Sequence, residues 1–145
     1  MIYLDHASTA LPKREEAIHA ASLAHALPSP GRGKHRWQLE AERCVETARE
    51  AVLALGAFED HVACFTSGAT HALNQAIRGV GATRIAVGPL AHNAVTRPIA
   101  AAEIDAWVLP SDDLGRVDLD AADAGWVEGT DWVVVTHASN VNGVI

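Results

Sequence analysis

From residue 62 onward the chain alternates short apolar runs with stretches of helical spacing, and this restricts the fold more than any other feature. Residues 62–65, 85–87, 106–109 and 132–136 each have the length and content of a buried strand. Between them, Ala72, Leu73, Ala76 and Ile77 recur at helical spacing, giving a helix that runs to Arg78, and a second helix is predicted over about 93–102. A polar turn, SDDLGR, precedes the last apolar run. Strands joined through helices are connected by crossovers, so the sheet is mostly parallel with flanking helices, an α/β fold. Upstream, Trp37, Ala41, Cys44, Val45, Ala48, Ala51, Val52 and Leu55 trace one stripe in steps of three and four, with Gly56 as its stop. An earlier helix over about 13–26 is closed by Pro28, Pro30 and Gly31.

A chain of 145 residues is about one domain, large enough for a real core. Its net charge of -7 argues against nucleic acid as a partner, since no basic face is expected. No stretch approaches the ~20 apolar residues of a membrane span. The start, MIYLDHAST, lacks the basic-then-apolar pattern of a signal peptide. The expectation is a soluble, cytoplasmic protein without membrane contact. Cys44 and Cys64 stand in no metal-ligand spacing and read as small core residues. The histidines form no clustered ligand set, so no metal site is expected.

In open parallel sheets, ligands sit beyond the carboxyl ends of the strands. Three segments fall there and carry reactive side chains: SGAT after Phe65, PLAHNAV after Val87, and HASNVNG after Val135. In FTSGATHALNQAI, a turn of Ser67, Gly68 and Thr70 opens a helix whose first amides lack partners, which suits a phosphate. The alternative is that Ser67 or Thr70 merely caps the helix. His92 can be a helix-end residue without a special task, Asn140 beside its loop can be a turn residue, and His137 a satisfied, partly buried histidine. Asn74, one turn after Thr70, faces either the ligand side or solvent. If the strands are neighbours, the hydroxyls of the first segment, His92, and His137, Ser139 and Asn140 converge on one crevice.

LDHASTALP, GRGKHRWQLEAE, FTSGATHALNQAI, AHNAVTRP and VVVTHASNVNGVI, in that order, resemble the N-terminal part of the fold-type I, class V aminotransferases, and within them the cysteine desulfurase branch. The resemblance implies a partial PLP-transferase large domain, incomplete in this chain. Residues 1–36 would be the N-terminal segment of the small-domain and entrance region, and 37–145 the first half of the PLP-binding large domain. It also implies pyridoxal 5′-phosphate as cofactor. Thr70, with the Ala69 and Thr70 amides, would bind the phosphate; His92 would stack on the pyridine ring and take part in proton transfer; Asn140 would hydrogen-bond the ring hydroxyl. Asn74 would be a further cofactor-side residue. His71 stands where the family more often has an acid, and His6, His35 and Arg36 fall in segments that come near the substrate entrance in relatives.

In the family, the Schiff-base lysine and the acid that keeps the pyridine nitrogen protonated follow the HASN segment. Here the lysines are Lys13 and Lys34, in other motifs. The family's sulfur-accepting cysteine also lies further on, so Cys44 and Cys64 do not inherit its role. The implied protein is the N-terminal half of a PLP enzyme, inactive alone and completed by a second polypeptide that carries the lysine, as a heterodimer or heterotetramer. Its substrate would be an amino acid, with sulfur transfer from cysteine placed ahead of transamination. The alternative is a catalytically inactive PLP-fold module that binds or regulates a partner.

Overall fold

The computed structural model describes residues 2–6, 9–31, 33–58 and 60–143. They divide into two compact units, residues 1–64 and 65–145. The first unit holds α1 (Glu15–His25) and α2 (Arg36–Leu55). Glu15 and Glu16 in the first turn of α1 and His25 in its last suit the helix dipole. His35 caps α2, its Nδ1 accepting from the Gln38 amide at 3.4 Å, while Arg36 lies over the Trp37 ring. Gly56 ends α2 as the sequence predicts.

Two expectations for this unit fail. Residues 62–65 pair with no strand among the described residues. A strand is defined by its ladder, and an apolar run signals burial without saying where its partner is. Val62 is 81 % exposed and Phe65 53 %. Cys44 and Cys64 are exposed rather than core residues: the stripe on α2 buries only Ala41, and Cys64 lies in the unpaired segment after it.

The second unit contains α3 (Ala69–Gly79), β1 (Arg84–Val87), α4 (Asn93–Ala101), β2 (Asp105–Val108), α5 (Leu119–Ala124) and β3 (Trp132–Val134). The strands form an all-parallel sheet in the order β2-β1-β3, so the fold is α/β as expected, with helices on the sheet faces. Ile85 and Val87 point to one face, where Ile77 of α3 and Val95 and Ile99 of α4 complete the core. Ala86 points to the other, against Leu109 and Ala122 of α5. The last strand is shorter than predicted, ending at Val134, and α5 falls between the SDDLGR turn and that strand, where no element was predicted.

The amino ends of the strands are clamped by charge. Asp131, just before β3, accepts from the Thr83 amide (2.7 Å), the Thr83 hydroxyl (2.8 Å) and the Arg84 amide (3.2 Å). These bonds, the Thr83 amide first, hold its carboxyl below the ordinary value of 3.8. Arg84 pairs with Asp105 at the start of β2 (2.6 Å) and donates to the Glu128 carbonyl. All three strands are thereby registered at the end opposite the chemistry-bearing loops. No helix among the described residues is long and apolar enough to cross a membrane.

Candidate active site

The carboxyl ends of β1 and β3 are adjacent, and β1 leads through α4 to β2 on its other side. In open parallel sheets the ligand crevice lies beyond such carboxyl ends. The α4 helix begins there, since it follows β1 directly. The α3 helix ends near the start of β1 and packs along it through Leu73 and Ile77. Its 11 residues span about 16 Å against about 13 Å for the strand, which carries its N-terminus to the level of the crevice.

No side chain caps α3. Gly68, at its N-cap, has φ 148° and ψ 173°, a region essentially reserved for glycine. No heavy atom lies within 4 Å of where its Cβ would stand. The Thr66 hydroxyl donates to the Gly68 carbonyl (2.9 Å) and holds the turn from outside. Of the two cap candidates, Ser67 is engaged with His71. Ser67 Oγ lies 3.0 Å from His71 Nδ1, and the Ser67 amide also points at that nitrogen (3.5 Å). An amide can only donate, so Nδ1 is the acceptor and the neutral His71 ring carries its proton at Nε2. Thr70 is exposed in the first turn beside Ala69, and its carbonyl accepts from Asn74 Nδ2 at 2.9 Å. Half-buried Asn74 thus turns its amide onto its own helix. The first turn of α3 contains no acid, leaving the positive end of the helix uncompensated.

His92 is the N-cap of α4: its Nδ1 accepts from the Ala94 amide at 3.0 Å while the ring is exposed. The helix-end role considered for it is therefore real, and it has a chemical consequence. The cap fixes the ring's orientation and leaves Nε2 as the position that exchanges a proton. Asn140 is exposed in the turn beyond β3, and buried Ser139 accepts from the Val141 (3.2 Å) and Asn142 (3.5 Å) amides. His137 is exposed, not partly buried as expected, because β3 stops before it and its segment leaves the sheet. The loops after β1 and β3 are tied by the Thr136 hydroxyl, which donates to the Leu90 carbonyl at 3.2 Å. A cavity of about 210 Å³ lies beside this tie, lined in part by Gly88, Leu90, Gly115, Arg116 and Val135; none of Thr70, His92 and Asn140 lines it. Among the described residues no group of three His, Cys, Asp or Glu side chains is placed to hold a metal.

His6 and Tyr3 meet edge to face in the first unit, and His35 and Arg36 are engaged at α2, so each of these residues has a local partner. The Ser67–His71 contact, the tie from Thr136 and the Asn142 bond to Leu114 leave no pattern in the sequence. Short polar side chains in loops give no periodic signal. α5 did have one: Asp118, whose carboxylate accepts from the Ala121 amide (2.9 Å), is an N-cap with Gly125 as the stop.

The Aminotransferase class-V family matches residues 2–145. The chain belongs to the class V aminotransferase family. Among curated members of this family it is 30% identical to the cysteine desulfurase IscS of Vibrio cholerae, over 99% of this chain and 39% of that protein. It is 32% identical to the cysteine desulfurase IscS of Dictyoglomus turgidum over the same shares, 99% and 39%. With the cysteine desulfurase of a Frankia strain the identity is 41% over 66% of this chain and 24% of the relative. A solved structure described as a NifS-like protein superposes with a TM-score of 0.66 at 26% identity, covering 87% of this chain and 36% of that one. This class V segment thus spans about two fifths of the length of its curated relatives, a partial domain of that fold.

Proposed function

We propose that these residues are the phosphate- and ring-contacting half of a cytoplasmic pyridoxal 5′-phosphate enzyme of the cysteine desulfurase type. A second polypeptide supplies the cofactor-bearing lysine and the remaining strands, in a heterodimer or heterotetramer. The observation that carries the reading is the start of α3. Its free amides, the absence of a side-chain cap, and a Gly68 conformation with open space where a Cβ would stand together fit a phosphate brought against backbone. Thr70 and the Ala69 and Thr70 amides would hold that phosphate. When bound, the cofactor supplies an electron sink for negative charge developing at the α-carbon of an amino acid.

The protein's own residues hold and orient. The Ala94 amide locks the His92 ring so that one face is presented at constant angle and protons pass through Nε2 alone. Asn140, projecting from a turn fixed by buried Ser139, offers an amide to the ring hydroxyl. Completion from outside these residues is supported by two unpaired edges. Among the described residues β3 pairs only with β1, with Trp132 and Val133 about half exposed, and residues 62–65 have no ladder. Sulfur transfer from cysteine is favoured over transamination by the cysteine desulfurases among the relatives.

Equilibrium dialysis of the complex purified from its native source tests the phosphate site. Retention of pyridoxal 5′-phosphate at least about tenfold tighter than of pyridoxal is expected from several amide contacts to one anion. Equal retention of the two would remove the α3 N-terminus from the site.

A further inference from the structure

The polar turn SDDLGR was legible only as a turn, yet it touches both loops that bear the ring-contacting residues. It is a small hairpin closed by a bridge between Ser111 and Val117 and by the Arg116 carbonyl, which accepts from the Asp112 amide at 3.0 Å. Within it the Asp112 carboxylate accepts from the Leu114 (2.9 Å) and Arg116 (2.8 Å) amides, and Gly115 sits at φ 81°. The hairpin is therefore held internally by its own side chain and does not depend on what it braces.

From this rigid piece two arms extend. The Leu114 carbonyl accepts from Asn142 Nδ2 at 2.8 Å, fixing the turn in which Asn140 lies two residues upstream. The Gly143 amide, donating to the Ser139 carbonyl at 2.9 Å, closes that turn on itself. On the other side, Gly115 stands against Leu90, two residues before His92; a Cβ there would come within 2.7 Å of the Leu90 side chain. The Thr136–Leu90 tie joins the two loops directly. Hairpin, β1 loop and β3 loop thus form a closed circuit of contacts.

We propose that the hairpin of residues 111–117 is the brace that sets His92 and Asn140 relative to each other, with Asn142 and Leu90 as its positioning residues. This rests on the functional reading above for what His92 and Asn140 contact, while the brace itself rests on the hydrogen bonds and packing. A side chain such as Asn142 has no access to the cofactor in this account and acts only through Asn140.

The test is a double-mutant cycle on the complex from the native source, with pyridoxal 5′-phosphate as the probe in equilibrium dialysis. Asn142→Ala removes the hydrogen bond to the Leu114 carbonyl and is expected to weaken retention about 2- to 10-fold. In an Asn140→Ala background the same change is expected to cost less than about 2-fold, because its route is already cut. Equal losses in both backgrounds would make Asn142 merely structural and overturn the proposal. The second arm is read by Gly115→Ala, expected to push Leu90 and shift the ring nitrogen resonances of His92; unmoved resonances would remove that arm. If the unsubstituted complex retains no cofactor, the functional reading fails and hydrogen exchange decides the brace. Asn142→Ala must then speed exchange of the Val141 and Gly143 amides about 2- to 10-fold, and unchanged rates overturn it.

Discussion

Replacing Gly68 by alanine isolates the feature on which the phosphate site depends. At φ 148° and ψ 173° an L-residue is strained by about 1–3 kcal/mol. The added methyl would meet no heavy atom within 4 Å, so the cost is backbone strain and not a clash. For a protein of this size that corresponds to a fall in Tm of roughly 3–10 °C. The turn can also escape the strain by rotating, which would swing the Ala69 and Thr70 amides away from their common direction and weaken cofactor retention instead. Gly79 provides the control within the same helix: its Cβ position is also open, and as the last helical residue without a positive φ it accepts alanine, which is favoured there by less than about 1 kcal/mol. One chemical change is thus expected to have opposite signs at the two ends of α3. Thermal unfolding by circular dichroism, paired with dialysis against pyridoxal 5′-phosphate, measures both. If Gly68→Ala is as stable as Gly79→Ala and binds cofactor as tightly as the unsubstituted protein, the reasoning about this turn is refuted.

His92→Asn is expected to keep the α4 cap and the stability while losing imidazole chemistry, whereas His92→Ala loses both and destabilises by about 0.5–2 kcal/mol; equal stabilities would dismiss the cap. Ile85→Ala, at the fully buried centre of the sheet, is expected to cost about 2–5 kcal/mol in chemical denaturation, and a cost under about 1 would mean the core is elsewhere. Asp131 has a lowered folded-state value, so its stabilisation is complete above the ordinary 3.8 and disappears as pH falls through the depressed one. Acid unfolding below about pH 4 should therefore be shallower in Asp131→Asn, and an identical acid limb in both proteins would discount the clamp.

The alternation of runs was legible because period and length are properties of the chain alone: β1, β2 and their helices fall where Ile85, Val87 and the stripe around Val95 and Ile99 require. What the sequence did not reveal depends on partners. Residues 62–65 carry strand-like side chains, but a ladder needs a second strand, and apolar content cannot say which polypeptide provides it. The same applies to Cys44, whose stripe on α2 predicts a buried face without naming what buries it. At the site, the motif around Gly68 was readable because a glycine just before a helix start has few uses. The jobs of Asp131, Thr136 and Asn142 were not, since each bonds a backbone group far along the chain, Asn142 reaching Leu114 and Thr136 reaching Leu90. His92 was readable as a helix start, and the resemblance, not its spacing, suggested the ring it would face.

Borohydride reduction of the complex from its native source, followed by peptide mass spectrometry, tests the central claim most directly. A pyridoxyl group on a lysine of a second, co-purifying polypeptide is the predicted result. A label on a lysine of the same chain beyond these residues would contradict the two-polypeptide arrangement. A label on Lys13 or Lys34, or none with cofactor supplied, would contradict the assignment of the site itself.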